Sequence, residues 1–167
     1  MKTALFADIH GNREALAACL AHARRHPFDR MMFLGDMVGY GADPAWCVDT
    51  VREAVARGSV ALLGNHDEAV SGADPDMNQD ALAAIEWTRS RLDGDQKHFL
   101  RNLSLLVEEG DTMFVHSSAA APHAWNYITS PRDADACLRY TTRRIVICGH
   151  VHRPQVFHAD RKSTRLN

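Results

Sequence analysis

Short apolar runs alternate along this chain with longer stretches in which apolar residues recur every three or four positions. The run TALFA at 3–7 reads as a buried strand. MMFLG at 31–35, SVALLG at 59–64 and RIVICG at 144–149 read as further strands. Between them, NREALAACLAHARRH at 12–26 places Ala15, Leu16, Cys19, Leu20 and Ala23 on one helical face, with Asn12 as N-cap. PAWCVDTVREAVARG at 44–58 is a second helix, with Pro44 suited to its first turn and Gly58 to its end. NQDALAAIEWTRSRL at 78–92, DQKHFLRNL at 95–103 and PRDADACLRYT at 131–141 are also helical, with Trp87 at a core-facing position. LSLLVEEGDTMFVHS at 103–117 reads as two strands joined by a tight turn at Gly110-Asp111. Strand–helix alternation predicts an α/β layered fold with an antiparallel pair inserted late.

Composition narrows the class. The 167 residues suit one domain with a real core, and 46% hydrophobic with 24% charged residues suits a globular protein. A formal net charge of -2 leaves no basic footprint, so general nucleic-acid binding is not expected. The apolar run before Asp8 is too short for a signal peptide or a membrane span. Cys19, Cys47, Cys137 and Cys148 form no C-x-x-C pair and read as reduced, mostly buried thiols of a cytoplasmic protein.

Chemistry-bearing residues gather where the strands end. The first run leads into Asp8-x-His10-Gly11-Asn12, the second into Gly35-Asp36 and the third into Gly64-Asn65-His66-Asp67. TMFVH ends in His116, and RIVICG ends in His150-x-His152. Each piece alone has a plain reading as a turn, a helix cap or a satisfied polar group. Sites in open α/β sheets form beyond the carboxyl ends of the strands. Five such ends carrying Asp, His and Asn therefore point to a metal site.

These residues carry a resemblance to the calcineurin-like metallophosphoesterases, and within them to the small bacterial and archaeal phosphodiesterase-like branch. The matching blocks are Asp8-x-His10, Gly35-Asp36, Gly64-Asn65-His66-Asp67, His116 and Gly149-His150-x-His152. The resemblance implies an αββα sandwich lacking some C-terminal strands and two divalent cations, manganese foremost, with Fe, Zn, Ni or Co as alternatives. It implies Asp36 as the bridging ligand, Asp8, His10 and His152 on one ion, and Asn65, His116 and His150 on the other. It gives His66 the role of proton donor to the leaving oxygen, with Asp67 orienting that imidazole or capping the local backbone. The implied reaction is hydrolysis of a phosphodiester or other small phosphate ester; a phosphomonoesterase and a non-catalytic scaffold or inactive fragment are the alternatives.

Around this set, Asn12 and Arg153 border the site as candidate contacts to the substrate phosphate and Tyr40 lines the substrate mouth, with helix capping an equal reading for Asn12. Ser117 stands where related sequences often have glycine, and His116 is still expected to reach the metal. Trp125 and Tyr127 read as loop packing, with an apolar wall for a nucleoside or aryl leaving group as the alternative. The resemblance covers a domain at 1–157, followed by a tail at 158–167 of different character. A sheet edge left open there would expose backbone and apolar surface, which a strand from a partner chain could cover in a homo-oligomer.

Overall fold

The computed structural model describes residues 1–72 and 79–159. Asn78, and the tail from residue 160 on, lie outside the described residues.

Two three-stranded sheets face each other. In the first, β1 (Thr3–Phe6), β2 (Arg30–Phe33) and β3 (Val60–Ala61) run parallel in the order β1-β2-β3. In the second, β4 (Leu106–Glu109) and β5 (Thr112–Val115) pair antiparallel across the expected turn, and β6 (Ile145–Ile147) joins β5 in parallel. The third strand is shorter than its apolar run. Its direction is continued by Leu62, which bridges to Ser104.

Alternation along β2 explains the layers, because successive side chains leave a strand on opposite faces. Phe33 and Met31 pack with Leu16 and Leu20 of α1 (Arg13–Ala23) and with Val48 and Val51 of α2 (Pro44–Ala56). Leu100 of α5 (Gly94–Arg101) closes the same cluster. Met32 and Leu34 face the other way and meet Leu62, Phe114, Val107 and Ile147 between the two sheets. The outer face of β6 carries Val146, which packs under Ala134 and Cys137 of α6 (Pro131–Arg139). The result is the expected αββα layering. The Arg30 guanidinium ties the layers at one end through a bidentate ion pair to Glu109.

Three burial expectations are corrected. Leu5 of the run read as buried is 44% exposed, because no core cluster packs over its side chain. In α1 only Leu16 and Leu20 are buried while Ala15 and Cys19 face outward, so the apolar stripe is narrower than the periodicity suggests. Trp87 is also outside the core. The face that α4 (Gln79–Arg91) buries runs through Ala81, Ile85 and Thr88, and Trp87 falls off it with the Arg91 guanidinium 5.0 Å above its ring. All four cysteines are free: Cys47 and Cys137 are buried, Cys148 is half-buried and Cys19 is exposed. No helix among the described residues is long and apolar enough to cross a membrane.

Candidate metal centre

Strained backbone marks the strand ends. Asp8, His10, Asp36, His150 and His152 all hold φ between +49° and +69°, the left-handed region that side chains disfavour. Each such residue costs roughly 1–3 kcal/mol and persists only where its surroundings dictate it, which is why such residues cluster at functional sites. The tight turns aim every one of these side chains at one place.

Two groups of ligand-type atoms result, and they share one carboxylate. Around Asp36 Oδ2, His116 Nε2 lies at 3.3 Å and His10 Nε2 at 3.7 Å. On the His116 side, its Nε2 is 3.2 Å from Asn65 Oδ1 and 3.2 Å from His150 Nδ1. On the His10 side, its Nε2 is 3.0 Å from His152 Nε2, which is 3.6 Å from Asp8 Oδ1. The seven residues named by the resemblance are thus brought together in one place, and His10, Asp36 and His66 form a further group of ligand-type atoms there. Asp36, His10, His116 and His150 are buried, while His152 stands at the open side.

The backbone assigns the imidazole protons. His10 Nδ1 donates to the Val38 carbonyl (3.1 Å), His116 Nδ1 to that of Leu34 (2.7 Å) and His150 Nε2 to that of Trp125 (2.8 Å). A carbonyl only accepts, so in the neutral rings the remaining nitrogens point bare lone pairs inward. Lone pairs and carboxylate oxygens packed at these distances repel one another unless a proton or a cation sits among them. The donor set of imidazole, carboxylate and amide oxygen fits a divalent transition metal.

Burial works against charge on His116, but its hydrogen bond to Asp36 and the field of that carboxylate win, pushing the ring up to about 9. Asp36 is buried too, which opposes its charge, yet the same bond holds it below the ordinary carboxylate range. His10 and His150 shift the other way because burial dominates there.

Glycine permits the closeness. A Cβ on Gly64 would stand 2.2 Å from Asp36 Oδ1 and 2.3 Å from the Asp36 amide nitrogen. Only a bare backbone lets β3 deliver Asn65 and His66 beside Asp36, whose Oδ1 accepts from the His66 amide at 2.9 Å.

His66, at the start of α3 (Asn65–Ser71), is buried beside this set, with its ring 4.8 Å from that of His10 and 4.7 Å from that of Tyr40. Its Nδ1 is buried without a hydrogen-bond partner among the described residues. Burial pushes the ring down to about 4, with Asp36 opposing. Of the two readings of Asp67, capping is the one realised: its carboxylate accepts from the amides of Met37 (2.9 Å), Val38 (3.2 Å) and Gly64 (3.1 Å). It thereby ties the loop after Asp36 to the start of α3 and leaves the imidazole alone.

The surrounding residues separate. Asn12 caps α1, its Oδ1 accepting from the Ala15 amide at 2.9 Å. Tyr40 stands at the mouth, 56% exposed, against His10 and His66. Arg153 is exposed and lines an apolar groove beside β6 and α6, whose walls include none of the seven ligands. Ser117 is buried and donates to the Pro122 carbonyl at 3.2 Å, and His116 reaches the cluster beside it. Sequence reading missed the three orienting carbonyls and Glu68. Main-chain groups carry no sequence signal, and Glu68 takes its partners, Trp125 and His123, from a distant loop.

Comparison with known proteins identifies the family of the chain. A metallophosphoesterase from Sphaerobacter thermophilus of known structure superposes with a TM-score of 0.79 at 32% identity, covering 91% of this chain and 61% of that one. The uncharacterized protein MJ0912 of Methanocaldococcus jannaschii is 33% identical over 159 residues, 92% of this chain and 63% of its own length. The symmetrical bis(5'-nucleosyl)-tetraphosphatase of Glaesserella parasuis is 26% identical over 147 residues, 83% of this chain and 53% of its own. The chain thus spans less than two thirds of each of these relatives. The sequence profile of the calcineurin-like phosphoesterase superfamily domain matches residues 1–167, and the chain belongs to that superfamily.

Proposed function

We propose that the chain is a binuclear metal-dependent phosphoesterase that hydrolyses a phosphodiester or a small phosphate ester. The observation that carries this reading is the pair of ligand groups meeting at Asp36 Oδ2. Asp8, His10 and His152 would hold one cation, Asn65, His116 and His150 the other, and Asp36 both. When bound, two divalent cations supply positive charge for the phosphoryl oxygens and lower the pKa of the attacking water. The chain's own groups do the rest. The carbonyls of Val38, Leu34 and Trp125 fix three imidazoles so that their unprotonated nitrogens face inward. His66 gives a proton to the leaving oxygen, a role supported by its ring standing beside the cluster with Nδ1 unpartnered among the described residues, and one that needs the negative charge of the phosphate to offset the burial that lowers its pKa. The Glaesserella parasuis relative, a tetraphosphatase by name, supports hydrolysis at phosphorus as the reaction class.

Hydrolysis of bis(p-nitrophenyl) phosphate beside p-nitrophenyl phosphate, with added manganese and metal content measured on the same sample, tests the reading. We expect two ions per chain and faster turnover of the diester. Faster turnover of the monoester would make the protein a phosphomonoesterase. Bound metal with no turnover of either ester would leave a scaffold.

A further inference from the structure

Two exposed tyrosines flank the cluster, and neither is used by the chemistry above. Tyr40 is 56% exposed and Tyr127 is 60% exposed. Tyr127 lies flat on the His150 ring, with centroids 4.1 Å apart and planes 11° from parallel, so one face is covered and the other is open. Tyr40 rests on His10 at 5.0 Å and on His66 at 4.7 Å. Each ring thus rests on a histidine of a different ligand group, Tyr40 on His10 and Tyr127 on His150.

Neither ring is there by default. Tyr40 holds left-handed backbone (φ +62°) between two glycines, a position where a third glycine would be unstrained. The segment carrying Tyr127 is anchored to the same site. The Trp125 indole donates to Glu68 Oε2 at 3.1 Å, and His123 Nδ1 is 3.3 Å from Glu68 Oε1. The Trp125 carbonyl accepts a hydrogen bond from His150 Nε2. Trp125 is thus half-buried by loop packing, whereas the Tyr127 ring stands exposed over His150.

We propose that Tyr40 and Tyr127 form an aromatic entrance that takes a planar ring of the substrate, nucleobase or aryl, when its phosphoryl group lies in the Asp–His cluster. Every flat π-face stacks on such side chains, whereas a saturated group of equal size gains only apolar contact. The inference rests on the phosphoesterase reading and sharpens its substrate class to phosphate esters with a planar aromatic group.

The test is binding of non-hydrolysable phosphonates to the manganese-loaded protein by titration calorimetry. Phenylphosphonate should bind about tenfold more tightly than cyclohexylphosphonate, which has similar size without a flat face. Tyr127→Ala and Tyr40→Ala should each reduce that ratio to about two or less at unchanged metal content, while the phenylalanine variants keep it. A parallel comparison of adenosine 5'-methylphosphonate with ribose 5-methylphosphonate tells whether a nucleobase is taken as well as an aryl ring. Equal affinity for planar and saturated partners in both comparisons overturns the proposal. So does a ratio untouched by either alanine, or a loss of both ligands together with the metal, which is the mark of a merely structural role. Turnover of the aryl diester without any planar preference would sink this inference alone. A tyrosine-dependent preference without turnover would leave the entrance standing and remove the hydrolase.

Discussion

His66 and His116 are both buried histidines of one cluster, yet their protons move in opposite directions. His66 meets mostly burial and is pushed down to about 4, whereas His116 gains Asp36 as a hydrogen-bond partner and rises to about 9. If the bound phosphate restores the His66 proton that burial disfavours, His66→Ala should leave both cations in place and slow turnover by about 10²–10⁴-fold, the range for a lost general acid. Metal analysis beside kinetics checks it, because loss of metal would instead make His66 a ligand, as its nearness to His10 and Asp36 allows. For His116 the sign follows from linkage. A ring whose folded pKa lies above the unfolded 6.5 stabilises the metal-free fold fully below pH 6.5, and that stability is lost as pH rises through about 9. A cation must displace the same proton, so apparent metal affinity should climb from pH 6.5 to 9, by at most about tenfold per unit, and then level off. Competition against a chromogenic chelator at several pH values measures this, and a flat profile would show that Asp36 and His116 share no proton.

At the scale of elements, the helices and strands serve as mounts for turns. Asn12 closes the first turn of α1 with its own side chain, and that bond accounts for its oxygen. Replacing it with alanine should cost about 1 kcal/mol of stability, seen in the denaturant midpoint, and leave KM unchanged. A raised KM would restore Asn12 to the substrate. The helices were legible because their apolar stripes and caps are local properties. What the stripe could not give was its width, as Cys19 and Trp87 show: which flank of a helix meets a neighbour depends on that neighbour's position. The third strand was read too long for a related reason. Leu62 after Ala61 is buried against Phe114 of the second sheet, and its pairing there is a single bridge to Ser104 instead of a continued ladder.

For the molecule as a whole, the space between the sheets sets the separation of the ligands. His116 and His150 follow strands of the second sheet, while Asp8, Asp36 and Asn65 follow strands of the first. Leu62 is fully buried in that seam with Met32, Leu34 and Phe114. Leu62→Ala should destabilise the fold by about 2–5 kcal/mol, measured by chemical unfolding, through lost burial and the cavity left behind. A loss under 1 kcal/mol would mean that the two layers are not held by this contact.

The sequence by itself determined the α/β class, most of the elements and which residues are candidates for the site. Those depend on periodicity, on caps and on Asp, His and Asn standing at successive strand ends, all of which are local patterns. Tertiary structure alone decided that the five ends meet at Asp36, because segments as distant as Asp8 and His152 become neighbours only through sheet pairing. It also decided that Asp67 caps the backbone, that carbonyls of Leu34, Val38 and Trp125 orient the imidazoles, and that Tyr127 faces outward over His150. Main-chain partners and side-chain exposure belong to the packed arrangement of all the elements, so no stretch of sequence carries them alone.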